Sequence, residues 1–211
     1  MAGSTSQFLQ TIRGRVAPET KGELREMMTR WQRDLAPGAT GWLGSTAGVT
    51  DDGTFFAAVR FDTEEHARAN SSRPEQHQWW METAKLFEGE VTFHDCPGAE
   101  VWRGGGSDDA GFVQVIEARV SDVDELRRLD RQWDELTRTS GFRDDVIGGI
   151  NGVHDGDRTI MVVYFTSEEA ARKGERAEPP AELAALREQE MALMSDVTYT
   201  DLKEPWLDSP R

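Results

Sequence analysis

The chain says nearly the same thing twice. Phe8-Leu9-Gln10-Thr11-Ile12-Arg13-Gly14-Arg15-Val16 returns as Phe112-Val113-Gln114-Val115-Ile116-Glu117-Ala118-Arg119-Val120, a shift of 104 positions. At the same shift Gly48-Val49-Thr50-Asp51 meets Gly152-Val153-His154-Asp155, Phe61 meets Phe165, and Trp102 meets Trp206. Structural repeats of solenoids run to about 20–50 residues, so a period this long copies a whole domain. The 211 residues therefore divide into a first repeat, 1–102, a Gly-rich linker, 103–111, and a second repeat, 112–211.

Each copy shows the same succession of patterns. Phe8 to Val16 alternates with period two and is rich in β-formers, which predicts a strand. Glu19 to Leu35 places Leu24, Met27, Met28, Trp31 and Leu35 on one stripe of a helix; Leu126, Leu129, Trp133 and Leu136 repeat it. Trp31 and Trp133 are read as core on that basis. Strands Trp42 to Thr50 and Thr54 to Phe61 flank Asp51-Asp52-Gly53, and Val146 to His154 and Arg158 to Phe165 flank Asp155-Gly156-Asp157, as two hairpins. Asp62-x-x-Glu65 and Thr166-x-x-Glu169 fit capping boxes that start the next helix. That helix breaks near Pro74 in one copy and at Pro179-Pro180 in the other. The last strands are predicted at Val91 to Asp95 and Val197 to Asp201.

The order β-α-β-β-α-β is the split βαβ, or ferredoxin-like, unit, an α+β fold with helices on one sheet face. The bare face needs a cover, and the other copy is the natural one. The expectation is two antiparallel sheets facing each other within one chain.

Charge narrows the partners. The formal net charge is −15, with −4 carried through Gly104 and −11 after it. No Lys/Arg run interrupts that field, which argues against nucleic acid and anionic membrane. Cys96 is the only cysteine, so no intrachain disulfide can form. The start, Met1 to Gln7, lacks the apolar core of a signal peptide, and no stretch has the length of a membrane span. A cytoplasmic setting is expected, with the chain a monomer by internal pseudo-dimer or a dimer of it.

The strand order, with the run Val59-Arg60-Phe61-Asp62-Thr63-Glu64-Glu65-His66-Ala67 passing from third strand to second helix, resembles the dimeric α+β barrel superfamily. Within it the likeness is to the antibiotic-biosynthesis-monooxygenase-like domains. The resemblance implies a barrel made by the fused pair and activities that include cofactor-independent oxygenation of aromatic polyketides and haem degradation. Fold does not imply function. The haem-degrading branch implies an Asn on the first strand and a Trp and a His on the second helical segment. Those positions fall here on Ile12 or Ile116 and near Asn70, and His77 comes several residues early.

The copies differ most between Asn70 and Met81, where Gly174 to Leu183 of copy two lacks the His, the paired Trp and the Asn. A site retained by one copy is therefore expected in copy one. Oxygenation without a metal or cofactor needs an aromatic pocket, a proton acceptor and an anion holder. The candidates are Trp79, Trp80, Gln10 and His66 for substrate binding, with His77, Asn70 and Arg73 for catalysis. The plain alternatives are that one of Trp79 and Trp80 packs on the sheet, that His77 is a surface residue, that Arg73 makes a surface ion pair, and that Gln10 and Gln114 are satisfied buried amides. His94-Asp95-Cys96 offers too few ligands for a metal site. The expected function is a monooxygenase-like protein binding a small aromatic or quinone-like molecule. A non-catalytic binding or scaffold protein is the alternative, and haem binding the third.

Overall fold

Alternation of apolar and polar residues makes Ser6–Val16 the first strand, β1, in the computed structural model, which describes residues 6–210. The polar start of the chain, Met1 to Thr5, lies outside the described residues. After β1 come α1 (Lys21–Asp34), β2 (Trp42–Val49), β3 (Thr54–Phe61), α2 (Glu64–Ser71), α3 (Pro74–Thr83) and β4 (Phe87–Trp102). The series returns as β5 (Phe112–Val120), α4 (Val123–Ser140), β6 (Val146–His154), β7 (Arg158–Phe165), α5 (Glu168–Arg176), α6 (Ala181–Leu193) and β8 (Met194–Leu202), followed by a short β9 (Trp206–Asp208). The protein is thus α+β, with two ferredoxin-like β-α-β-β-α-β repeats. Among the described residues no helix is long and apolar enough to cross a membrane.

Two compact units result, 6–100 with 204–210, and 101–203. In the first the strand order is β4-β1-β3-β2-β9, in the second β8-β5-β7-β6. The common order is fourth, first, third, second, and the pairings are antiparallel. Register repeats with the sequence: Phe8 lies opposite Phe61 and Phe112 opposite Phe165.

The helices pack on one sheet face. In the first unit Phe8, Trp31, Leu35, Trp42, Phe61 and Trp79 form one core cluster, and Val16, Leu24, Phe55 and Trp206 belong to another. The second unit has clusters around Phe112 and Phe165 and around Leu129, Leu183 and Leu186. Residues on the opposite strand face, such as Leu9 and Val113, are buried too.

Helix ends depart from the predicted boxes by one residue. Thr63 accepts from the His66 amide at 3.2 Å, and Ser167 accepts from the Ala170 amide at 3.1 Å. These hydroxyls, one residue after Asp62 and Thr166, are the N-caps. Asp62 binds the His66 ring instead. Gly141 ends α4 in the left-handed region at φ 69°, its amide bonded to the Thr137 carbonyl, a conformation glycine adopts at little cost.

Sequence breakers mislead at the last strands. β4 runs through Gly89, Pro97 and Gly98, with both glycines at positive φ, and its register with β1 shifts twice. The bulges let the strand continue where the residues suggest an end.

The ends of the two repeats have matching roles. Trp206, at the end of the second repeat, sits in the first unit opposite Ala47 of β2 and beside Phe55. The Arg25 guanidinium lies 5.3 Å from its ring, and ion pairs Lys21–Glu204 and Arg25–Asp208 flank it at 3.6 and 3.7 Å. Trp102, at the end of the first repeat, belongs to the second unit. It covers Gly149 of β6 so closely that an added Cβ would lie 2.1 Å from its ring. Its Nε1 donates to Asn151 Oδ1 at 3.3 Å. Arg103 follows and bonds Asp134, Thr137 and the carbonyls of Arg143 and Val146.

Candidate functional site in the second repeat

The segment before each fourth strand decides where space is left. Val16 pairs with Phe87 and Val120 with Met194, so those two partners are equivalent. Counting back, Thr83 matches Glu190, Trp80 matches Arg187 and Trp79 matches Leu186.

In the first unit aromatic rings fill this region. Trp79 is buried between Trp31, at 6.4 Å, and Trp80, at 6.2 Å. Its Nε1 donates to the Met27 carbonyl at 3.0 Å. Trp80 in turn lies 6.1 Å from Phe87 and 5.1 Å from Phe93. Such contacts add to what burial of the rings already contributes.

In the second unit Arg187, Met194 and Tyr199 replace Trp80, Phe87 and Phe93. A cavity of about 490 Å³ results, walled by Ile116, Trp133, Phe142, Met161, Met191 and Met194 and open to solvent beside the exposed Met191 and Tyr199. Trp133, expected as core like Trp31, is half-buried and forms part of this wall. Size and apolar lining suit a small organic molecule.

One wall is polar. Gln114, on β5, donates through Nε2 to Asp201 at 3.0 Å and to Glu175 at 3.4 Å. Arg172, on α5, binds Glu175 at 3.0 Å and closes on Asp201, its guanidinium 5.1 Å from the Phe112 ring centre. Burial alone would lower the Arg172 pKa, but the bonds to Asp201 and Glu175 outweigh it and hold the guanidinium above its ordinary value. Arg143 grips Asp145 at 2.9 and 3.0 Å and fills the space above Gly174, where an added Cβ would lie 2.5 Å from its Nε.

The other polar group of interest is Glu190, half-buried on α6. Its carboxyl is pushed up to about 8, chiefly by burial, then by Asp130, with Arg187 opposing. Asp130 is fixed by the Asn151 amide at 2.8 Å. Such a group holds a proton at neutral pH and gives it up slightly above.

The residues expected in copy one lie elsewhere. Asn70 is buried and its Oδ1 accepts from Arg73 at 3.0 Å. Arg73 also reaches the Leu35 carbonyl at 3.0 Å and Glu75 at 2.9 Å, bracing the α2–α3 corner against the end of α1. His77 is exposed. His66 binds Asp62 at 2.6 Å, and Gln10 donates to Asp95 at 2.8 Å. None of these, nor Trp79 or Trp80, lines the second-unit cavity or a groove of about 680 Å³ beside Ala36, Pro37 and Trp42 of the first unit. The haem-degrading branch would hold its iron with an axial imidazole. His77 is exposed and no histidine lines the second-unit cavity, so the residues present do not fit that cofactor.

Sequence reasoning missed Glu190, though a signal existed. It continues the buried stripe Leu183, Leu186, Leu193 of α6, and an acid on an apolar stripe is a marked position.

The geometry has counterparts among solved structures. A protein of Fusobacterium nucleatum named "putative monooxygenase" superposes with a TM-score of 0.74 at 8% identity, covering 97% of this chain and 95% of that one. A protein of the same description from Lactobacillus acidophilus gives 0.72 at 11%, covering 96% and 99%. An anthrone oxidase-like protein gives 0.65 at 12%, covering 99% and 91%. This is the fold of a fused pair of monooxygenase-like domains. At these identities the likeness is one of fold. No family model matches the sequence, and no curated protein matches it.

Proposed function

We propose that the protein binds a flat, hydroxylated aromatic molecule in the second-repeat cavity and oxygenates it with dioxygen, Glu190 exchanging the proton. The observation that carries this reading is the cavity of about 490 Å³, which joins an aromatic wall to one half-buried, unbonded carboxyl. A ring would stack on Trp133 and Phe142 while the methionines fit its outline.

The chemistry suits a substrate with a methylene between two conjugated rings, the class that the name of the anthrone oxidase-like neighbour suggests. Removal of one proton by ionised Glu190 leaves a carbanion delocalised onto the adjacent oxygen. That anion supplies electrons to dioxygen. Overall the methylene loses two hydrogens and gains one oxygen as a carbonyl, and the second oxygen leaves as water. The carbon gives up four electrons and dioxygen accepts four. A base of pKa near 8 is matched to such a weak carbon acid. We place the reaction in the cytoplasm, since the single cysteine offers no intrachain disulfide.

The test is oxygen uptake with 1,8-dihydroxyanthrone above its uncatalysed oxidation. One dioxygen consumed per quinone formed, with at least about a hundred-fold loss in Glu190→Gln, supports the enzyme. Binding of the anthrone without turnover leaves a carrier protein of the same fold.

A further inference from the structure

We infer that Gln114 selects the ligand: its amide oxygen accepts a hydrogen bond from a ligand hydroxyl, so the cavity takes neutral hydroxy-aromatic molecules in preference to their ethers and to aromatic carboxylates. The inference rests on the cavity being a ligand site, as proposed above.

The orientation of the amide follows from its neighbours. Asp201 and Glu175 offer only acceptor oxygens, and both face Gln114 Nε2. Turning the amide over would set Oε1 against two carboxylates, so the nitrogen must point at them and the oxygen away. Gln114 is 8% exposed and lines the cavity. Among the described residues no donor is bonded to Oε1. Gln114 Oε1 is not among the buried polar atoms left without a partner, so this oxygen is open to an occupant of the cavity and free to accept from a ligand hydroxyl.

The charges around the cavity set the second preference. Arg143 is committed to Asp145, and Arg172 to Glu175 and Asp201. The remaining cation of the lining, Arg187, is exposed and stands beside Glu190. A carboxylate seated against Gln114 would thus meet Asp201 and Glu175, and the cation of the lining left to offset them, Arg187, is exposed and screened by solvent. The first repeat shows what the bond does alone. Gln10 donates to Asp95 at 2.8 Å in the same register, but there the rings of Trp80 and Phe87 close the space that in copy two lies open.

The experiment is titration of the full chain at pH 6.5 with three probes of one shape: 2-naphthol, 2-methoxynaphthalene and 2-naphthoate. The naphthol is expected to bind about ten-fold tighter than either of the others, the size of one net hydrogen bond. In Gln114→Met, of similar volume, the naphthol-to-ether ratio should fall to about two-fold or less, with the ether's affinity retained. If that variant does not fold, the ratio in the unaltered protein decides alone. Equal binding of naphthol and ether overturns the role of Gln114 and leaves the cavity reading standing. Naphthoate binding as tightly as naphthol overturns the preference for neutral ligands. Failure of all three to bind overturns the cavity reading and this inference with it.

Discussion

Thr83 and Glu190 hold the same position in the two repeats, four residues before the equivalent strand residues Phe87 and Met194. The threonine is fully buried and turns its hydroxyl onto the Trp79 carbonyl at 2.8 Å, so it asks nothing of its surroundings. The glutamate brings a titratable group to the same place, beside a cavity instead of a stack of rings.

That substitution gives stability a pH dependence of definite sign. The folded carboxyl titrates at about 8 against an ordinary 4.5. Below 4.5 both states hold the proton. Between these values the unfolded chain has lost it and the folded chain keeps it, so this group's contribution to stability falls as pH rises, by up to about 1.4 kcal/mol per pH unit. The fall ends near pH 8. Urea unfolding of the protein and of Glu190→Gln at pH 5, 6, 7 and 8 checks this. A difference between the two that stays flat across the window refutes a raised pKa.

Restoring the rings of copy one should close the cavity of copy two. Met194→Phe places at Met194 the side chain that Phe87 supplies in the first unit, and Arg187→Trp does the same for Trp80. The pair is expected to weaken binding of any naphthalene probe by about ten-fold or more while changing stability by less than about 2 kcal/mol. Calorimetric titration and thermal melts measure the two effects separately.

The first-repeat tryptophans and histidine should behave as their surroundings dictate. Trp79→Ala removes a buried ring and its bond to Met27, for a loss of about 3–5 kcal/mol. His77→Ala, at an exposed site, should fall within about 0.5 kcal/mol of the parent. Urea midpoints at one pH compare them, and a large loss in His77→Ala would contradict its placement.

Trp206 tests a link between distant parts of the chain. Trp206→Ala should raise hydrogen exchange along β2, whose Ala47 it faces, and lower stability by about 3 kcal/mol or more. Exchange confined to β8 after this substitution would contradict the pairing of β9 with β2.

Most of the architecture is legible in the residues because both periodicities are clean: alternation in Phe8 to Val16, a single stripe from Leu24 to Leu35, and the hairpin at Gly53. The failures have physical causes. The residues predict a shorter β4 because Gly89, Pro97 and Gly98 usually end a strand, whereas here the strand runs through them with two shifts of register against β1. The caps were displaced because an acidic box and a hydroxyl cap overlap at Asp62-Thr63. The difference between copies, Asn70 to Met81 against Gly174 to Leu183, leads the sequence reading to a site in copy one, whereas the cavity proposed above as the site lies in copy two. Trp79 and Trp80 look like a binding site in sequence, but large rings close space as readily as they line it, and only packing separates the two outcomes. Glu190 is hard to single out in the sequence because its neighbours on the helix are leucines spaced for a core.

The positions of Trp102 and Trp206 have a consequence for how such a gene can change. Each tryptophan is encoded at the end of one repeat and completes the sheet of the other. A deletion that removed either half would strip the survivor of the ring its second strand rests on, leaving Gly149 bare or Ala47 and Phe55 uncovered. Duplication followed by this exchange therefore acts as a ratchet: easy to enter by copying, and closed to simple reversal.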